Sequence, residues 1–321
     1  SLLDQSNLLI DTLARWSELS SSRVHFVVIV GNHEAFDFNF LGSGNELFLH
    51  HIKKLREAGI HVLSANLHWT EEMQIWVKPH VDLPVGVKGE PVRFVGLTLD
   101  RFLQKSDYDF KHGPQLLQAS GLTPIHETLH RELERAYQDN RRQVIFAMHE
   151  GFEPAGKAFD RFVGGLPTDT FVDGVYRGQV EVPLILTAHD HNVASRPHEL
   201  GPLFLDAGAY FDGVKVQLTP KGQVSQYEFV DRASQLRLAN QAQPLGEMQR
   251  VLSDVAKTAQ RLQSVADQVV VEHPVALDSK TQMKQGRTGT GERLAQAMAK
   301  WASDRVKKSK WPRIKEPAVL A

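Results

Sequence analysis

Asn32, His33, His149, His189 and His191 are the residues whose types and spacing could do chemistry in this chain. They fall in three short runs, Gly31-Asn32-His33-Glu34, Met148-His149-Glu150 and Ala188-His189-Asp190-His191. Imidazole nitrogen and amide oxygen are suitable ligands for Zn, Mn, Fe or Ni. His189 and His191 stand at i, i+2, which puts both on one side of an extended segment. The simplest chemical reading of the set is a metal site. Taken singly, each has an ordinary structural reading. Asn32 suits a turn with left-handed backbone, His33 a surface turn, and His149 a satisfied strand end. Order and context together favour the metal site.

That context is three apolar runs, one before each signature: Val24–Val30, Val144–Ala147 and Val182–Thr187. Short apolar runs bounded by turn signals read as strands of a covered sheet. In open α/β sheets, ligands collect beyond the carboxyl ends of the strands. The remaining chain supplies the supporting elements. Leu2 to Trp16 has a helical rhythm, and Glu46 to Ala58 reads as a helix stopped by Gly59. Ile60–Leu63 then reads as a strand, giving a strand–helix–strand unit with parallel pairing. Residues 67 to 100 read as extended segments, among them Gln74–Val77 and Val92–Leu97. A helix from Thr123-Pro124 to about Asp139 has Thr123 as its N-cap. Residues 151 to 181, with their Gly and Pro, read as loop, and Leu203 to Val230 as short strands.

A length of 321 residues gives a prior of about two domains. With 41% hydrophobic and 23% charged residues the chain is globular in composition, not disordered. A net charge of −1 gives no electrostatic footprint for nucleic acid. No apolar stretch approaches the ~20 residues needed to span a bilayer. The chain has no cysteine, so any metal must be held by N and O ligands. Composition shifts at Asp231. Leu245, Met248, Leu252, Val255, Ala259, Leu262, Ala266 and Val269 then form one helical stripe. A connecting helix accounts for this better than a coiled coil. His273-Pro274 opens a last region, with a Gly/Thr-rich loop at 286–291, a helical pattern over 292–306, and a basic tail that reads as a solvated end. His50, His51, His61, His126 and His130 are read as structural.

The three signatures resemble those of the calcineurin-like metallophosphoesterases, which carry Gly-Asn-His-Glu/Asp, a lone later His, and Gly-His-X-His. Phe36-Asp37, Leu63-Ser64-Ala65-Asn66 and the strand-rich stretch after His191 are similar to the 5'-nucleotidase branch. Val275–Asp278 and Arg287–Met298 resemble the opening of that branch's C-terminal domain. The resemblance implies an α/β fold, a metallophosphoesterase-type β-sandwich flanked by helices, then a connecting helix and the start of a second α/β domain. The corresponding boundaries are 1–230, 231–272 and 273–321. It also implies two divalent metal ions, with Asn32, His149 and His189 on one, His191 on the other, and His33 as general acid. Such a pair can clamp a phosphate and provide a metal-bound hydroxide for in-line attack. A histidine off the metals can donate to the leaving oxygen. The implied substrate is a nucleotide or other small phosphate ester, foremost a nucleoside 5'-monophosphate. The implied location leans to the periplasm or cell surface; oligomeric state is left open.

The chain also departs from the pattern. The family's Asp-X-His and Gly-Asp turns do not occur before Gly31, and Ser1-Leu2-Leu3 resembles the stretch just after that second turn. The expectation is a segment cut just past it. Ala188 stands where the family has Gly, Ala35 is inserted before Phe36-Asp37, and Glu150-Gly151 comes after the lone His. Two further readings therefore stay beside the phosphomonoesterase: a cyclic-nucleotide or nucleotide-sugar phosphodiesterase, and a non-catalytic module on the same fold.

Overall fold

The computed structural model describes residues 10, 11, 13, 14, 24–31, 44–84, 91–98, 119–208, 213–219, 222–231, 233, 234, 253 and 257. The chain divides into two compact units, Ser1–Val251 and Leu252–Ala321. Of the second, Ser253 and Lys257 are described, both helical. The apolar stripe over 245–269 and the C-terminal region otherwise lie outside the described residues, as do Asn32, His33 and Glu34.

The first unit begins with β1 (Val27–Ile29), α1 (Gly44–Glu57), β2 (His61–Leu63), β3 (Leu67–Trp69), α2 (Glu71–Trp76), β4 (Val77–Lys78), β5 (His80–Pro84) and β6 (Pro91–Leu97). It continues with β7 (Ala119–Leu122), α3 (Ile125–Gln138), β8 (Gln143–Met148), α4 (Phe152–Gly164), β9 (Phe171–Val172), β10 (Val175–Tyr176) and β11 (Val180–Thr187). It closes with β12 (Val193–Pro197), β13 (Leu203–Ala207), β14 (Gly213–Leu218) and β15 (Val224–Val230). The main sheet has the order β12-β13-β11-β8-β6-β5, with β10 and β9 joined to β11. Its central strands β6, β8, β11 and β13 run parallel, and antiparallel β5 and β12 close the edges.

Burial on both faces explains why the central strands read as unbroken apolar runs. On β8, Val144, Phe146 and Met148 face a core shared with Leu129 and Leu133 of α3 and with Phe159 and Phe162 of α4. Ile145, between them, joins Leu184 and Leu205 under the β14–β15 hairpin, whose Val214, Val216 and Phe229 cover that face. Each such side chain contributes about 1.5–3 kcal/mol on burial. The second sheet, β1-β2-β4, is parallel throughout. The strand–helix–strand unit read around Gly59 therefore forms as expected, and Gly59 takes φ 76° at the end of α1.

Three expectations are corrected. Residues 151–181 are not all loop, because α4 occupies Phe152–Gly164. Pro154 lies in the first turn, where no intrahelical N–H is lost, and the buried stripe Ala155, Ala158, Phe159 and Phe162 outweighs Gly156. Gln74–Trp76 are helical, not extended. Glu71 and Glu72 favour that helix start, and Met73 buries itself completely. Thr123 does not cap α3: the N-cap is Pro124, and the Thr123 hydroxyl instead meets His68 Nε2 at 2.6 Å.

Candidate active site at the carboxyl ends of the strands

Register brings the carboxyl ends of four parallel strands to one level. Leu97 pairs with Met148, Met148 with Thr187, and Thr187 with Asp206. The next residue of each strand, Thr98, His149, Ala188 or Ala207, therefore stands on one shared rim. His149 N–H continues the ladder to Leu97 O at 2.8 Å. Its imidazole lies edge to face with that of His189, ring centroids 5.3 Å apart and planes at 68°. The second and third signatures thus meet in space because β8 and β11 are direct neighbours.

The first signature arrives from the other sheet. Gly31 is buried against the His149 ring, so close that a Cβ there would stand 2.9 to 3.0 Å from three ring atoms. Thr98 locks that approach: its hydroxyl donates to Val30 O at 2.9 Å, and its hydroxyl oxygen lies 2.8 Å from Ser64 Oγ. Asn66 pairs with both main-chain groups of Thr98, accepting from its N–H and donating to its carbonyl, each at 2.8 Å. Asn66 and Thr98 are fully buried. Ser64 and Asn66 belong to the segment that carried part of the resemblance, and they serve to join the two sheets.

The histidine turn is conformationally costly. Its left-handed backbone falls on His189, φ 88°, and His191, φ 59°. Non-glycine residues pay roughly 1–2 kcal/mol each for such angles. Ala188 itself needs no positive φ; its N–H donates to Glu150 O at 3.2 Å. The Asp190 carboxylate packs directly over Gly151, where any Cβ would collide with it. A side chain at position 151 is thereby excluded.

Sequence reading missed Asp206. It is fully buried at the end of β13, taking a hydrogen bond from Gly208 N–H at 3.1 Å and one from Thr187 Oγ1 at 3.2 Å. Burial pushes its carboxyl above the ordinary 3.8; the Asp190 charge adds to that, while Gly208, Thr187 and His191 pull the other way. One signal was available: an acidic residue closing the apolar run Leu203-Phe204-Leu205 just after the histidine turn.

Of the five singled-out residues, the structure thus brings His149 and His189 together. His191 is exposed on the same turn. Among the described residues, no group of three or more His, Cys, Asp or Glu side chains is arranged to hold a metal ion. The His149–His189 pair fits part of a transition-metal ligand set in chemistry, as two imidazoles in ring contact.

No family model matches the chain. No curated protein matches it either. Solved structures do. A 5'-nucleotidase precursor from Thermus thermophilus is similar with a TM-score of 0.51 at 18% identity, over 85% of this chain and 49% of that one. The NAD nucleotidase NadN of Haemophilus influenzae gives 0.47 at 15% identity, over 80% and 49%. The sulfate thiohydrolase SoxB of Thermus thermophilus gives 0.45 at 14%, over 80% and 46%. The chain spans about half the length of each of these proteins. In fold, the chain is similar to that 5'-nucleotidase precursor, the branch whose signatures its histidine runs resemble.

Proposed function

We propose that the protein is a metal-dependent hydrolase of phosphate esters, acting foremost on nucleoside 5'-monophosphates. The observation that carries the reading is the meeting of His149 and His189 on adjacent parallel strand ends, with Gly31 pressed against the His149 ring. Asn32, His149 and His189 are the proposed ligands of one divalent ion (Zn, Mn, Fe or Ni), and His191 a ligand of a second. When bound, such ions supply Lewis acidity toward the phosphoryl oxygens and a nucleophile at neutral pH. The chain's own residues do the rest. The two imidazoles present nitrogen donors at the rim, the buried Thr98–Asn66 link holds the two sheets in register, and His33 gives its proton to the departing nucleoside oxygen. Substrate choice is proposed to depend on the region after residue 272. The division at 230 and 272 and a location in the periplasm or at the cell surface are part of the same proposal.

The test is phosphate release from AMP with Mn or Zn supplied, using the 321-residue chain and a version extended at its amino end. Activity is expected in the presence of metal, and His33→Ala is expected to lower kcat about 100-fold. A cyclic nucleotide and a nucleotide sugar in the same panel separate monoesterase from diesterase. No hydrolysis by either version across the panel would overturn the enzyme reading in favour of a binding module.

A further inference from the structure

The place of Asp206 in the sheet has a consequence for the histidine turn. β13 lies between β11 and β12, parallel to one and antiparallel to the other. The 188–192 connection must therefore pass over the carboxyl end of β13. Asp206 stands there, paired across to Thr187 on one side and Ala194 on the other. Its neighbours Phe204 and Leu205 show what packing alone selects in this strand, namely buried apolar side chains. A fully buried carboxylate is costly by comparison. One oxygen accepts from Gly208 N–H and the other from the Thr187 hydroxyl, whose proton is shared with Leu205 O. A carboxylate offers about four acceptor positions, so two hydrogen bonds leave capacity toward the turn above. Of the turn's charges, that of His191 favours its ionised form and that of Asp190 opposes it, while its hydrogen bond to Thr187 anchors the residue from which the turn departs. The turn itself holds two non-glycine residues at positive φ, a conformation that persists only when its surroundings over-determine it.

We infer that Asp206 is a positioning residue: from the end of β13 its carboxylate holds the His189–His191 turn in the strained form that can take a divalent ion. Carboxylates set behind ligating histidines commonly act this way, and their loss weakens metal binding about 10- to 100-fold. The inference rests on the proposed metal site.

The test compares the full chain with Asp206→Asn, which keeps size and shape. Mn(II) affinity is measured by titration calorimetry, and imidazole 15N resonances are recorded in metal-free protein. Asp206→Asn is expected to weaken Mn(II) binding about tenfold or more, with the thermal midpoint nearly unchanged. It is also expected to displace the His189 and His191 signals while leaving remote His68 in place. Wild-type affinity in the variant would overturn the inference and leave the proposed function standing. If the wild type binds no Mn(II), the proposed function falls and the inference with it; if the wild type binds and the variant's imidazole signals are unchanged, the positioning role alone is refuted. Should Asp206→Asn not fold, Thr187→Val, which frees one carboxylate oxygen, carries the same readouts.

Discussion

The His149 imidazole is bounded by main chain on one side and by the edge-to-face His189 ring on another. A single methyl group therefore discriminates between site and scaffold. In Gly31→Ala the new Cβ must displace the His149 ring, since the backbone behind Val30 is held by Leu63 and Thr98. Overpacking of this kind costs about 1–3 kcal/mol, and it falls on the imidazole. Metal affinity is expected to drop about tenfold by calorimetry; an unchanged affinity would mean that the ring's position is irrelevant to binding. The opposite sign is expected at the turn. His191→Gly removes a side chain held at φ 59° and should raise stability by about 1 kcal/mol in urea unfolding while weakening metal binding. A loss of stability would show that the turn is not strained.

Elements matter here through their junctions. The main sheet and the parallel β1-β2-β4 sheet approach so closely that Gly96 has room for no side chain: a Cβ would meet Leu63 O at 2.8 Å and Ile29 Cδ1 at 2.9 Å. Asn66 crosses the same junction and satisfies the buried N–H and C=O of Thr98. Asn66→Ala leaves both groups unpaired, at about 1–3 kcal/mol for each. A loss near 3 kcal/mol in urea unfolding is expected, with the site disordered as a result; a loss below 1 kcal/mol would show that water replaces the amide. The apolar runs around Val144–Ala147 and Val182–Thr187 disclosed their strands because both faces are buried. Helix α4 was hidden because Gly and Pro read as breakers until Phe159 and Phe162 have a sheet to pack on.

At the scale of the whole molecule, an ionic lattice ties α3 to the sheet edge. Glu132, fully buried, receives His80 Nδ1 at 3.1 Å and Arg135 Nη1 at 2.7 Å. Burial pushes its carboxyl up, but the His80 hydrogen bond and the charges of Arg135, His80 and Arg131 outweigh it, holding it below the ordinary 4.5. Asp82 behaves likewise: burial raises it, and the paired Arg93 with the Arg141 and His80 charges brings it below 3.8. Both carboxyls are more acidic folded than unfolded. Their stabilisation is therefore complete above the ordinary values and is lost as pH falls through the lowered ones. The urea midpoint should fall between about pH 5 and pH 3, and fall less in Glu132→Gln, which is itself about 3 kcal/mol less stable at neutral pH. Equal acid slopes in the two proteins would remove Glu132 from the account.

Residue types and their order were enough to mark five candidate residues and the covered strands that carry three of them, because strand-end chemistry and two-sided burial leave local patterns; the type of fold came from the resemblance of the three signatures. What they could not contain is distance. Whether His149 and His189 touch depends on β8 and β11 being neighbours, and whether Gly31 meets His149 depends on the Thr98–Asn66 junction between separate sheets. The role inferred for Asp206 depends on β13 lying beneath a connection that begins eighteen residues earlier in the chain, at Ala188. Strand order is set by the packing of the entire unit, and so only the tertiary structure decided which charges share the rim.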